Sequence, residues 1–114
     1  MDIKSFKAAV DIPAHRLVKF GSVEGEVTLA TAGTDNVIGV SDDVDTDAGN
    51  IIDICVSGLR KVQYGGTVTQ GDSLTAGTDG KAVKATSSES ATDNVFGQAL
   101  ASAAADEIDY MVIK

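Results

Sequence analysis

Thr34-Asp35-Asn36-Val37-Ile38-Gly39 returns almost unchanged as Thr92-Asp93-Asn94-Val95-Phe96-Gly97, 58 positions further on. Each copy is followed by a polar or small-residue run and then an apolar segment, Ile51–Val56 after the first and Ile108–Ile113 after the second. Self-similarity on this scale governs the fold assignment, because a repeated unit must be recognised before its parts are read. Asp and Asn tolerate tight backbone turns, and a glycine inside Val-x-Gly marks a bulge or a close backbone approach. The paired stretch therefore reads as turn chemistry at the entrance to a short strand. It is present twice because the fold has two related halves, about 10–58 and 66–114.

Outward from the repeat, short alternating segments succeed one another. Val10-Asp11-Ile12 stops at Pro13, which lacks a backbone donor. Leu17–Phe20 and Glu26–Ala30 have the period of half-buried strands, as does Ile51–Val56, which sets Ile52, Ile54 and Val56 on one face. Leu59–Tyr64 continues after Gly58 as a hairpin partner or a bent extension. Turns fall at Gly71-Asp72 and Gly77–Gly80, Lys81–Ala85 is a further strand, and Ser87–Thr92 is a polar loop. Gln98–Ala105 has the alanine content of a helix, but the repeat requires strand or loop there, and the repeat is given precedence. Turn signals recur about every ten residues, the spacing of an all-β sandwich or small barrel. The expectation is an all-β, small single-domain β-barrel or β-sandwich with two pseudo-repeated halves. It comprises an N-terminal arm over 1–9, ordered only if something receives it, and a single β domain over 10–114.

Composition narrows the function. With 43% hydrophobic but only 4% aromatic residues, the aliphatic core is thin, and self-assembly is expected. The net charge of −8 argues against nucleic acid, whose phosphates demand clustered Lys and Arg. Residues 1–20 hold four basic against two acidic residues, a net of +2, whereas 21–114 hold five against fifteen, a net of −10. A basic arm on an acidic body suits docking onto an acidic neighbour. The single Cys55 excludes an internal disulfide and fits synthesis in a reducing cytosol. No apolar run has the length of a signal peptide or membrane span, so no membrane partner is expected.

Candidate chemistry dissolves on inspection. Gly66–Gly71 has the glycine spacing of a phosphate loop, yet Asp72 stands where lysine is needed. Asp43, Asp45 and Asp47 alternate like calcium ligands but lack the glycine and bidentate acid of that motif, so they read as a solvated loop. His15 has no second ligand in a metal spacing, and Cys55 has no assigned base. The reading is not an enzyme, with no catalytic residues, no metal and no cofactor.

Ala30–Val40, Ala48–Ile54, Gly66–Thr75, Gly80–Val83 and Val95–Leu100 together resemble the small capsid decoration (cement) proteins of tailed bacteriophages. The resemblance covers about residues 8–113. It implies a structural virion protein that binds the major capsid protein, commonly as a homotrimer, on the outer capsid surface. Such a protein stabilises the matured head after synthesis in the host cytoplasm. On this reading the basic segment is the capsid-binding arm, with Ile3, Lys4, Phe6, Lys7, Arg16 and Lys19 as contacts. Two departures stand out: the family pattern places glycine near Ala14-His15 and after the alanine run, where this chain has Asp106, so those turns are expected to be built differently. The alternative is a small β-clip or carrier-like binding module recognising a glycan or partner protein, which Val10–Val18 and Val68–Leu74 resemble.

Overall fold

A computed structural model describes residues 2–85 and 94–113. Thr92, Asp93, the loop read over Ser87–Thr92, and Met1 of the arm lie outside the described residues. Asp2–Ala8 form β1, Leu17–Phe20 β2, Glu26–Leu29 β3 and Gly39–Ser41 β4. Thirteen residues, Ile51–Gln63, form β5. Ser73–Ala76 are β6, Ala82–Lys84 β7, Gly97–Ala99 β8 and Ile108–Ile113 β9. Leu59–Gln63 is thus the bent-extension alternative, continuous with Ile51–Val56 through Gly58, whose φ of +93° suits glycine.

The first five strands close a barrel. β5 pairs antiparallel with β1 and β4, β4 with β2, and β2 with β3. β3 returns parallel to β1 through Lys7↔Glu26 and Ala8↔Val27. The segment read as an arm is therefore received by β5 along six of its residues, from Ile3 region to Lys7 and at Asp2. The same circuit recurs in the second half. The C-terminal part of β5 takes the place of β1, pairing with β9, and the ring continues through β8, β6 and β7. A parallel bridge, Tyr64↔Ala82, brings it back to the end of β5. Corresponding pairs stand in register: Asp2↔Ser57 with Gly58↔Ile113, and the loop bridges Ile12↔Thr46 with Val68↔Ala103. The pairing unit thus spans 2–57 and then 58–113, each taking in one strand more than the stretches 10–58 and 66–114.

Burial follows from the alternation. Ala8, Ile12, Val18, Val27, Ile52 and Ile54 form the first core, and Val62, Tyr64, Leu74, Phe96 and Met111 are prominent in the second. Successive residues of β2 serve different cores: Val18 belongs to the first, and Leu17 joins the second with Ala30 and Val40. The barrels are therefore packed against each other through first-repeat side chains. Tyr64 is fully buried and its hydroxyl donates to the Tyr110 carbonyl at 3.3 Å. Burial, aided by the Asp109 charge, pushes its pKa up to about 12.

Gln98–Ala105 is strand and loop rather than helix. β8 ends at Ala99, and Ala103 bridges Val68. Both alanines are buried, so packing of small side chains and the ladder override the helical propensity of the run. The two turns without the family glycine need correction. His15 and Asp106 adopt φ of +60° and +69°, the left-handed geometry that Gly71 and Gly49 adopt at the equivalent places of the other repeat. The turns are built alike, with a non-glycine residue carrying the strain.

Candidate interaction surface

β1 gathers four of the six residues expected to contact a partner. Ile3, Lys4 and Lys7 are exposed, and Phe6 is half-buried with its ring edge-on to Phe20 at 6.1 Å. Lys7 Nζ lies 4.0 Å from Glu26 Oε2, an open surface pair worth little by itself. The other two basic residues are employed within the chain. The Arg16 guanidinium donates to Gln63 Oε1 at 3.1 and 2.8 Å and to the Asp79 carbonyl at 2.9 Å, tying the turn before β2 to the second barrel. Lys19 Nζ donates to Asp35 Oδ1 at 3.0 Å.

Asp35 shows what the repeated stretch does. Its other carboxylate oxygen accepts from the backbone N–H groups of Thr31 and Ala32, at 2.9 and 3.2 Å. The Thr31 N–H, with the Lys19 ammonium and the Ala32 N–H, holds its carboxyl below the usual carboxylate range. From the second copy, Asn94 Nδ2 donates to the Thr34 carbonyl at 2.8 Å and to Asn36 Oδ1 at 3.1 Å, and Asn94 N–H to the Gly33 carbonyl at 2.7 Å. The two copies thus grip one another. Between them lies a shallow cleft of about 150 Å³ lined by equivalent residues of both repeats: Asn36 and Asn94, Val37 and Val95, Ile38 and Phe96, Val56 and Ile113.

The glycines of the motif have a steric reason. A Cβ on Gly39 would stand 2.3 Å from the Cys55 carbonyl oxygen, and one on Gly97 would stand 2.4 Å from that of Val112. Each short strand lies too close to its neighbour for any side chain, as the close-approach reading expects.

A polar cluster joins the barrels beneath the acidic loop. Arg60 pairs with Asp42 and lies 3.5 Å from Asp43, and His15 Nδ1 is 3.6 Å from Asp43 Oδ1. The Asp43 N–H, with the Arg60 guanidinium and nearby His15, holds the Asp42 carboxyl below its ordinary pKa. Asp45 accepts from the Ala14 N–H at 2.8 Å, so this member of the loop braces the turn at His15. In the glycine-spaced stretch, Asp72 accepts from the Thr69 N–H at 2.9 Å and closes a turn into β6, with no helix behind it. Cys55 is buried, with Sγ 3.2 Å from the Ser57 carbonyl. Among the described residues, no three of His, Cys, Asp and Glu converge as a metal centre.

This twofold-repeated scaffold has relatives. The family model described as phage cement protein matches residues 2–113. The chain belongs to the phage cement protein family. Its fold is shared by the head fiber gp8.5 N base in bacteriophage phi29, with a TM-score of 0.74 and 25% identity over 99% of this chain and 93% of that one. No curated protein matches it. The cement protein is accordingly a capsid-associated structural component of a bacteriophage.

The cement protein's outer apolar residues on β5 and β9 carry no distinguishing mark in the sequence. Leu59, Ile108 and Tyr110 are exposed. In sequence they are indistinguishable from strand residues that face a core, and only the register reveals that they face water.

Proposed function

We propose that this cement protein binds the outer surface of the phage capsid, contacts the major capsid protein there as a homotrimer, and stabilises the matured head. It does so by surface contact alone, without catalysis or a cofactor. The family match over residues 2–113 carries this reading. The contact surface is centred on β1: exposed Ile3 and Lys7 share one side of the strand, exposed Lys4 and the half-buried Phe6, which packs against the first core, share the other, and the two lysines supply charge opposite to that of the acidic body. Arg16, held by neutral acceptors, adds positive potential, whereas the charge of Lys19 is offset by Asp35. Steering between opposite charges raises association rates and falls with salt.

The test is binding of purified protein to heads that lack it. Removing residues 1–9 is a poor probe, because it takes a strand out of the first barrel. Lys4→Glu with Lys7→Glu keeps the strand and reverses its charge. Lower occupancy, a weaker dependence on salt and faster heat disruption of the heads are expected. Occupancy equal to wild type at every salt concentration refutes the assigned face, and wild-type protein that leaves head stability unaltered refutes the bracing role.

A further inference from the structure

The joint between the barrels has a giving side and a receiving side. The first repeat gives. Leu17 and Val40, a cross-strand pair of β2 and β4, enter the second core with the half-buried Val37 beside them. The Arg16 guanidinium reaches Gln63 and the Asp79 carbonyl, and Asp42 holds Arg60. The second repeat receives these groups on the later part of β5, where Val62 is fully buried and the Arg60 side chain is only 13% exposed.

Each side has a twin in the other repeat, and both twins are uncovered. Register sets Ser73↔Gln98 where Leu17↔Val40 stands, and Leu74↔Gly97 where Val18↔Gly39 stands. The twin giving face is therefore Asp72, Ser73, Val95, Gln98 and Leu100, at the places of Arg16, Leu17, Val37, Val40 and Asp42. Ser73, Val95 and Leu100 are exposed, and Gln98 is half-buried. The twin receiving face is Lys4, Phe6 and Lys7 of β1, at the places of Arg60, Val62 and Gln63. Its lysines are exposed, and Phe6 is half-buried where Val62 is sealed.

The two uncovered faces are complementary. The Arg16 contact with Gln63 becomes Asp72 opposite Lys7, a carboxylate facing an ammonium whose own pair with Glu26 is open, at 4.0 Å. Asp42 over Arg60 becomes Leu100 over Lys4, whose aliphatic stem offers apolar surface. The buried Leu17↔Val40 pair becomes the polar Ser73↔Gln98, which suits a contact between chains that are soluble apart better than a shared core. The backbone bond from Gln63 N–H to the His15 carbonyl has no equivalent, because Lys7 N–H donates to Gly25. Side chains make the contact.

We infer that copies of this chain join front to back, the Asp72–Leu100 face of one seated on β1 of the next, and that three such contacts close the homotrimer. This rests on the homotrimer of the reading above and names its interface. A contact between two different faces closes into a ring or runs on as a fibre. In the ring β1 has two neighbours, the next copy at Lys4, Phe6 and Lys7 and the coat at Ile3.

Sedimentation of the purified chain over a range of concentration and salt, without phage heads, reads the contact. Wild type is expected as a trimer that dissociates on dilution. Asp72→Lys and Lys7→Glu each set like charges together and should weaken association by about 10²-fold or more, and the double variant should restore it. Because Asp72 also closes the turn into β6, Leu100→Asp supplies a second break that leaves this turn intact, and circular dichroism checks that every variant keeps its strands. Wild type that is monomeric at every concentration or stops at a dimer overturns the inference, and so does a double variant no better than either single. Single variants that remain trimeric overturn it as well, and if they lose binding to heads the coat covers this face instead. Trimers that bind no head overturn the capsid-binding reading and leave the ring standing.

Discussion

At Gly39 and Gly97 the missing side chain is a packing requirement, since neither glycine has a left-handed backbone. Gly39→Ala and Gly97→Ala each drive a methyl group into a strand carbonyl, an overpacking expected to cost about 1–3 kcal/mol, read as a lower urea midpoint. Two other glycines separate space from conformation. An added Cβ at Gly66 or Gly71 meets nothing within 4 Å, but only Gly71 has φ of +91°. Gly66→Ala is expected within about 0.5 kcal/mol of wild type, and Gly71→Ala to lose about 1 kcal/mol. Equal losses at both sites would contradict the left-handed turn. His15 and Asp106 bear the same conformation without glycine. Asp106 is partly compensated, as Lys81 donates to it at 2.7 Å and lowers its pKa.

Among the elements, β2 holds the two cores together. Leu17→Ala should therefore cost about 2–5 kcal/mol and, although it lies in the first repeat, should speed amide exchange in β6 and β9 of the second. Exchange confined to the first barrel would contradict the shared core. Strands of this kind were readable in advance. Leu17–Phe20, Glu26–Ala30 and Ile51–Val56 alternate cleanly, and their limits differ little from β2, β3 and the first part of β5. The partner of β1 was not readable. Asp2–Ala8 and Gly58–Tyr64 occupy equivalent places yet share no identical residue in register, only the kinship of Ile3 with Leu59, Lys4 with Arg60, and Phe6 with Val62. On the proposed surface the charges of Lys4 and Lys7 stand out in the sequence, but which aliphatic residues face water depends on pairings made across the chain.

For the whole molecule, the shared strand and the mixed second core make the halves interdependent. A fragment spanning 58–114 lacks Leu17, Ala30 and Val40 from its core and is expected to show no cooperative melt; a folded fragment would refute that dependence. The acid response is also collective. Asp35, Asp42 and Asp106 have folded pKa values lowered from 3.8, so the unfolded chain binds more protons as pH falls. Their contribution is complete above about pH 4–5 and is lost as pH drops through the lowered values. Urea midpoints should hold from pH 7 to 5 and fall toward pH 3, with Asp35→Asn flattening the decline. The register of β5 carries a last consequence. Asp2 pairs with Ser57 and Ile113 with the adjacent Gly58, so the outer ends of the first and last strands meet at the waist of the molecule, within about 10 Å of each other by strand spacing. A short peptide splice from 113 to 2, with the chain opened at Gly66, should give a circular permutant with the same strand pairing. A cargo fused to either end would leave the particle from one and the same point.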